Sequence, residues 1–261
     1  MLGAIAGDII GSVHEHAGTK TQDFPLFAGH NRFTDDTVLT LAVAEHLLSG
    51  GNLVDLFHDY FHRYPDAGYG GTFSHWAFNR QREPYNSWGN GSAMRVSPVG
   101  FVAESLEAAI TMAEATAAVT HDHPEGVRGA QAVAAAVFLA RQGESKANIR
   151  TQVEMRFGYN LSASLDAIRE HYRFDVSCQG SVQQSLIAFL EADDYEGAVR
   201  NAVSLGGDAD TMACIAGGVA EAFFGGIPEH IAQHVRELLD DGQLDTLSRF
   251  RARFGWPRGS L

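Results

Sequence analysis

Apolar side chains recur at helical spacing along nearly the whole chain, and this periodicity restricts the fold more than any other feature. In residues 53–64, for example, apolar and aromatic side chains repeat every three to four positions. Valine, isoleucine and threonine do not gather into the alternating runs that strands require. The sequence therefore predicts an all-α fold, a single compact helical bundle. The predicted helices cover residues 2–12, 36–48, 53–64, 106–119, 125–140, 146–157, 181–190, 195–203, 210–224 and 229–239.

One predicted helix consists almost entirely of small residues. Residues 213–222 read ACIAGGVAEA. A glycine inside an exposed helix costs about 1 kcal/mol relative to alanine, so two adjacent glycines need compensation from close packing. We therefore expect this helix to lie at the centre of the bundle, where neighbouring helices approach it closely.

The excess of acidic residues limits the classes of partner. The chain of 261 residues holds 32 Asp and Glu against 19 Lys and Arg, a formal net charge of −13. Nucleic acids and anionic membrane surfaces need faces rich in Lys and Arg, so neither is expected as a partner. The apolar start of the chain has no basic flank and is interrupted by Asp8, and no apolar run is long enough to span a bilayer.

Cysteine use and the lack of linkers complete this description. Two cysteines do not make a disulfide framework, and no repeat or Pro/Ser-rich segment divides the chain. These features predict a cytoplasmic protein with one domain over residues 1–261. The oligomeric state stays open, and a monomer is compatible with the sequence.

Two short acidic motifs each precede an apolar helix. The first contains Thr34, Asp35 and Asp36, and the second contains Asp208, Asp210 and Thr211. Asp and Thr are favoured at helix starts because they accept hydrogen bonds from free N–H groups, so N-capping could account for them. Capping uses one side chain per helix start, however, and does not explain the presence of the other carboxylates.

Metal binding would explain the additional carboxylates. Carboxylates and hydroxyls are the oxygen ligands that Mg²⁺, Mn²⁺ and Ca²⁺ prefer. If the two helix starts converge, the six residues predict a site for two divalent cations about 4 Å apart. Two such cations would neutralise the four aspartates, which otherwise repel one another and retain protons.

A different interpretation of residues 208–211 is the nucleophile loop of haloacid-dehalogenase-type phosphatases. This sequence fits that pattern poorly, because Thr211 directly follows Asp210 and no apolar strand precedes Asp208.

Taken together, five motifs resemble those of the ADP-ribosylglycohydrolases, a family that includes ADP-ribosyl-arginine and ADP-ribosyl-serine hydrolases. The motifs are GDIIGS at 7–12, FTDDT at 33–37, GNGSAMR at 89–95, TH at 120–121 and SLGGDADT at 204–211. The resemblance implies an all-α bundle of this family's type, with two Mg²⁺ or Mn²⁺ ions in a central cleft. It also implies hydrolysis at the distal ribose of ADP-ribosylated proteins or small molecules, with release of ADP-ribose.

The resemblance also implies roles for individual residues. Glu15 occupies the place of a catalytic glutamate, with Asp35 and Asp36 beside it in the catalytic centre; alternatively Glu15 is a surface residue in a loop. Loop 86–92 matches a phosphate-contacting loop whose backbone N–H groups cradle the diphosphate, or it is a plain surface turn. The expected substrate-binding residues of this loop are Ser87, Trp88, Gly89, Asn90 and Gly91.

Three further positions carry expectations. His121 matches a histidine beside the substrate; it is otherwise a histidine at a helix start, or part of a zinc site in the sequence HDH at 121–123. Asp8 lies on an apolar helix and is expected to accept hydrogen bonds rather than to bind metal. Arg82 stands where family members carry an aromatic residue that stacks on adenine, with Tyr85 as a nearby substitute.

Two alternative functions remain open from the sequence. The first is that of a non-catalytic ADP-ribose-binding or structural protein of the same fold. The second is that of a metal-dependent hydrolase that acts on another nucleotide-ribosyl compound.

Overall fold

The structure is a computed structural model that describes residues 1–255, so residues 256–261 of the predicted domain lie outside the described residues. Residues 1–255 contain fifteen helices and no strand beyond an isolated antiparallel bridge between Gly89 and Ser177. The all-α prediction is therefore confirmed. The helices are α1 (Leu2–Gly11), α2 (Asp35–Ser49), α3 (Leu53–Arg63), α4 (Gly71–Phe78), α5 (Gly91–Met94), α6 (Ser97–Val102), α7 (Leu106–Ala118), α8 (Pro124–Arg141), α9 (Lys146–Phe157), α10 (Leu165–His171), α11 (Cys178–Leu190), α12 (Tyr195–Val203), α13 (Ala209–Phe224), α14 (Glu229–Leu238) and α15 (Asp241–Phe254).

Helices α1 and α13 form the most extensive helix pair in the molecule. Their backbones touch at glycines: a Cβ on Gly7 would lie 2.0 Å from the carbonyl oxygen of Ala213, and one on Gly217 would lie 2.4 Å from that of Gly3. Almost every residue of both helices is buried. The small-residue segment is thus the central helix that the sequence predicts.

The remaining helices pack around this pair. Helices α8, α11 and α12 contact α13, and α2 packs on α1, α3, α6 and α15. One continuous apolar core runs between them. This arrangement brings the first turns of α2 and α13 to the same region of the molecule.

Five helices were not predicted from the sequence, namely α4, α5, α6, α10 and α15. Helices α5 and α6 have 4 and 6 residues, too few for a helical period to show. Helix α15 has few apolar residues, and its start is fixed by a capping box between Asp240 and Gln243. Within residues 1–255, no helix combines the length and the apolar character needed to cross a bilayer.

Candidate metal centre and adjoining cavity

The two acidic motifs lie against each other in the structure. Asp35 and Asp36 form the first turn of α2, and Asp208 and the first turn of α13 face them. The hydroxyl of Thr211 donates a hydrogen bond to Asp36 Oδ2 across 3.2 Å. The convergence on which the predicted metal site depends is therefore present.

Carboxylates in this region form two overlapping groups. The first contains Asp8, Asp36 and Asp210, and the second contains Glu15, Asp208 and Asp210. Within each group, one oxygen from each carboxylate lies within 4.8 Å of the others. Asp210 belongs to both groups, so the two groups form one continuous acidic cluster that could hold metal.

The buried Asp36 Oδ1 atom supports cation binding. It has no hydrogen-bond partner within residues 1–255, although buried carboxylate oxygens normally have one. The groups around it are carboxylates and hydroxyls, which suit Mg²⁺ or Mn²⁺ as ligands. The residues present therefore fit hard divalent cations.

N-capping accounts for only a small part of these motifs. Thr34 is the N-cap of α2, where its side chain accepts a hydrogen bond from the Asp36 N–H group. Asp208 occupies the N-cap position of α13 but forms no capping hydrogen bond with its side chain. Asp210 accepts a hydrogen bond from the neighbouring Thr211 N–H at 2.8 Å. Most of the carboxylate oxygens thus remain available for another role.

Asp8 accepts hydrogen bonds from residues at the start of α2, as expected from the sequence. Its carboxylate accepts hydrogen bonds from the backbone N–H groups of Thr34 and Thr37, at 2.9 and 3.1 Å, and from both threonine hydroxyls. Burial raises the pKa of Asp8 to about 6, while these four hydrogen bonds act in the opposite direction. With four donors on two oxygens, Asp8 orients Thr34 and its helix.

Burial and mutual repulsion raise the pKa values of the neighbouring carboxyl groups. Burial, with the negative charges of Asp8 and Asp208, raises the pKa of Asp35 to about 8. The same causes hold the pKa values of Asp36 and Asp210 well above the usual aspartate value. Without cations the cluster retains protons near neutral pH, and divalent cations would replace those protons.

All residues expected to be catalytic, to bind substrate or to bind metal line one cavity of about 480 Å³. The lining contains the acidic cluster together with the glycine-rich loop and His121. The Asn90 side chain links the loop to the cluster, because its Nδ2 donates to Asp208 Oδ2 across 2.7 Å. The predicted residues in the lining are Glu15, Thr34, Asp35, Asp36, Ser87, Trp88, Gly89, Asn90, Gly91, His121, Asp208, Asp210 and Thr211.

The glycine-rich loop differs in one respect from the expectation. The Asn90 N–H donates to Val176 O at 2.8 Å, and the Gly89 N–H donates to Ser87 Oγ at 3.1 Å. The Asn86 N–H donates to Asp122 Oδ1 at 2.7 Å and the Ser87 N–H to Thr120 O at 3.5 Å, so four backbone donors of loop 86–92 are already engaged within the protein. Gly91 is not a loop residue but the first residue of α5.

Arg82 lies outside the cavity, although the sequence aligns it with an aromatic residue that stacks on adenine. Its guanidinium forms an exposed ion pair with Asp55 at 2.6 Å and does not line the cavity, whereas Tyr85 does. The sequence did not single out Arg95, a fully buried arginine that also lines the cavity. It is the last residue of the motif GNGSAMR at 89–95, but the sequence does not show that its side chain is buried.

The surroundings of Asp208 and of the HDH sequence exclude a phosphatase loop and a zinc site. Helix α12, rather than a strand, precedes Asp208, so the chain has no phosphatase-type nucleophile loop at this position. The side-chain groups able to hold a metal within residues 1–255 contain only carboxylates, so the HDH sequence forms no zinc site there. His123 instead caps α8 by accepting from the Glu125 N–H.

Comparison with known proteins gives the same family throughout. The ADP-ribosylglycohydrolase family model matches residues 1–257. ADP-ribosylhydrolase ARH3 of Bos taurus is 27% identical, with 86% of this chain and 84% of the bovine protein covered. ADP-ribosylarginine hydrolase Tri1 of Pseudomonas putida (strain GB-1) is 24% identical, with 95% and 79% covered. A solved ADP-ribosylglycohydrolase-related protein complex matches with a TM-score of 0.66 at 25% identity over 96% of each chain. Because the family model spans nearly the whole sequence, the chain belongs to the ADP-ribosylglycohydrolase family.

Proposed function

We propose that this protein hydrolyses the bond between the distal ribose of ADP-ribose and an attached side chain or acyl group, and that it uses two divalent cations. The observation that carries the proposal is the pair of carboxylate groups sharing Asp210 at one wall of a cavity. A glycine-rich loop lines the same cavity, so we assign the cations to the acidic cluster and the diphosphate to the loop. Relatives named as ADP-ribosyl hydrolases support the same assignment.

The proposed cations are Mg²⁺ or Mn²⁺. We assign them to the oxygens of Thr34, Asp35, Asp36, Asp208, Asp210 and Thr211. When bound, the cations would supply Lewis acidity at the ribose end of the ligand. The high pKa values of the aspartates mean that cations and protons compete for this cluster.

Glu15 is the proposed general base. Its carboxylate lies within 4.8 Å of those of Asp208 and Asp210, yet its side chain remains about one-third exposed, at 32%. Burial raises its pKa above the usual glutamate value, which favours proton uptake near neutral pH. Glu15 takes a proton from the water whose oxygen forms the new bond to the anomeric carbon, while the bond from that carbon to the leaving group breaks with oxocarbenium character. The leaving group keeps the electron pair and takes up a proton, so the products are ADP-ribose with a free hydroxyl and the protonated leaving group.

The wall of the cavity that holds the glycine-rich loop is the proposed binding site of the diphosphate. Since the amides of Gly89 and Asn90 already donate within the protein, we assign diphosphate contacts to the amides of Trp88 and Gly91, with Ser87 beside them. The hydroxyl of Ser87 accepts from Gly89 and can donate its own hydrogen to a phosphate oxygen. Hydrogen-bond donors in this wall supply the local attraction for an anion that the net charge of the chain lacks.

Several expectations from the sequence stay predictions. They are the cytoplasmic location, the single domain over residues 1–261, and the lack of nucleic-acid and membrane partners.

A substrate panel tests the proposal. Purified protein is incubated with ADP-ribosylated arginine peptide, ADP-ribosylated serine peptide and O-acyl-ADP-ribose, with Mg²⁺, Mn²⁺ or chelator, and released ADP-ribose is measured. We expect release from at least one substrate, lost with chelator and in Asp210→Asn, and retained in Asp241→Asn, an exposed aspartate on α15. ADP-ribose binding without any release would instead indicate a non-catalytic binding protein, and release that survives chelation would contradict the metal requirement.

A further inference from the structure

Arg95 is a buried cation that the proposed reaction does not use. It is 0% exposed, follows α5 directly, and its guanidinium carbon lies 4.5 Å from the centre of the Phe57 ring. Its Nη2 donates to Thr120 Oγ1 at 2.7 Å and to Thr116 O at 3.2 Å. Its other two nitrogens have no hydrogen-bond partner within residues 1–255. A buried charge without a paired carboxylate is costly, so a functional reason is expected.

Thr120 connects Arg95 to His121. The Thr120 hydroxyl lies 2.8 Å from His121 Nδ1, in addition to its contact with Arg95. A threonine hydroxyl has one hydrogen to donate, whereas arginine can only donate. The hydroxyl oxygen accepts from Arg95, and its single hydrogen can be donated either to His121 Nδ1 or to Tyr85, which Thr120 also contacts by a hydrogen bond. When the hydrogen is donated to His121, Nδ1 is the acceptor and carries no proton.

We propose that Arg95 and Thr120 fix His121 as a neutral imidazole whose hydrogen sits on Nε2, which makes His121 a hydrogen-bond donor to the ligand in the cavity. The Nε2 atom faces the glycine-rich loop: it lies 3.2 Å from where a Cβ on Gly91 would stand and 3.6 Å from one on Gly89. His121 lines the cavity with its ring beside Tyr85, at 5.9 Å between ring centres.

The charge of Arg95 acts in the same direction as the hydrogen bond. Burial, with the nearby positive charge of Arg95, holds the pKa of His121 well below its usual value. The ring is therefore neutral at pH 7, and Nε2–H is its one donor. Arg95 and Thr120 are positioning residues, since they act on the ligand through His121.

The ligand class follows from the position of this donor. Beside a loop with further amide donors, an Nε2–H group suits a phosphate or ribose oxygen, which accept hydrogen bonds. His121 thus binds and orients the ligand and takes no proton from water. The identity of the ligand as ADP-ribose rests on the proposed function, whereas the tautomer does not.

NMR of the metal-free protein tests the tautomer directly. The chain has 12 histidines, so the His121 signal in ¹⁵N-histidine spectra at pH 7 is assigned as the one that the His121→Gln substitution removes. We expect His121 Nδ1 to be unprotonated and Nε2 protonated. A hydrogen on Nδ1, which would mean that Thr120 donates elsewhere (for instance to the nearby Tyr85), overturns the inference and leaves the proposed function intact.

Substitutions at Arg95 and Thr120 test whether these two residues determine the tautomer of His121. Thr120→Val removes the hydroxyl, so the Nδ1 resonance should move to that of a nitrogen accepting no hydrogen bond, and the Kd for ADP-ribose should rise about fivefold. Thr120→Ser should restore both. Arg95→Met replaces the buried charge by an apolar chain, leaves Thr120 free to rotate and should give a mixture of tautomers, whereas Arg95→Lys retains a donor. Circular dichroism confirms folding.

The outcomes separate the two proposals. An unchanged Nδ1 resonance or an unchanged Kd in Thr120→Val contradicts the positioning role. If the wild-type protein has the expected tautomer but binds no ADP-ribose, the proposed function is wrong and the hydrogen-bond relay still stands.

Discussion

Thr211 donates a hydrogen bond to Asp36 Oδ2 across 3.2 Å, although 175 positions separate the two residues in the sequence. This contact joins the first turn of α13 to the first turn of α2. The candidate metal centre is therefore assembled by tertiary packing and depends on both helix starts at once. Cation binding should consequently stabilise the whole fold and respond to changes on either helix.

Binding of Mg²⁺ should raise the melting temperature through Asp210. A cation that binds only the folded state at 100 times its Kd stabilises by about 2.7 kcal/mol. Because Asp210 belongs to both carboxylate groups, Asp210→Asn should abolish the shift and, without cations, should melt no lower than wild type, since one repelling charge is gone. Differential scanning calorimetry with Mg²⁺ or chelator measures this. Asp241→Asn serves as the control, and a wild-type shift in Asp210→Asn would refute the shared-ligand geometry.

In chelator, the free energy of unfolding should fall as pH rises from about 5 to about 8. Burial raises the folded pKa of Asp8 to about 6 and that of Asp35 to about 8, above the unfolded aspartate value of about 3.9. Across that window the folded state binds more protons than the unfolded state, so stability decreases with pH. Urea unfolding at several pH values measures the slope. Saturating Mg²⁺ should flatten it, because the cations replace the protons; a stability that rises with pH in chelator would count against the buried cluster.

Glu15→Gln should separate catalysis from cation binding. Loss of a general base lowers kcat by roughly 100-fold or more. Glu15 is not among the six residues to which we assign the cations, so a Mg²⁺-dependent rise in melting temperature should remain. Steady-state release of ADP-ribose and calorimetry give the two readouts, with the exposed Glu104→Gln as the matched control. Full activity in Glu15→Gln would remove Glu15 from the catalytic centre.

Gly7→Ala should destabilise the central helix pair. The added Cβ would lie 2.0 Å from the carbonyl oxygen of Ala213, so the backbones must separate. We expect a loss of at least about 2 kcal/mol in the free energy of unfolding, measured by urea titration. Gly29→Ala meets no atom within 4 Å and should change stability by no more than about 0.5 kcal/mol. Equal stability of the two variants would argue against the close approach of α1 and α13.

The long helices and the convergence of the acidic motifs could be predicted from the sequence for identifiable reasons. Helices such as α3 and α13 are long enough for their periodicity or composition to show. The motifs at 34–36 and 208–211 carry more carboxylates than capping needs, and this surplus indicated a shared site. The structure shows that Thr34 provides the cap, which leaves most of the aspartate oxygens available.

Features set by distant contacts could not be predicted in the same way. The amide of Asn90 is occupied because Val176, 86 positions later, accepts from it. The burial of Arg95 and its link to Thr120 depend on the packing of α5 against α7 and α8. Neither contact leaves a periodic or local signal in the sequence.

The Asn90–Asp208 hydrogen bond has a thermodynamic consequence. The Asn90 side chain connects the loop proposed to bind the anionic ligand with Asp208 in the acidic cluster. Binding of cations to the cluster therefore changes the electrostatic surroundings of the loop, and binding of the nucleotide to the loop changes those of the cluster. Linkage requires such an effect to be reciprocal. Because cations and an anionic nucleotide attract each other, we expect them to bind cooperatively, each increasing the affinity for the other by the same factor.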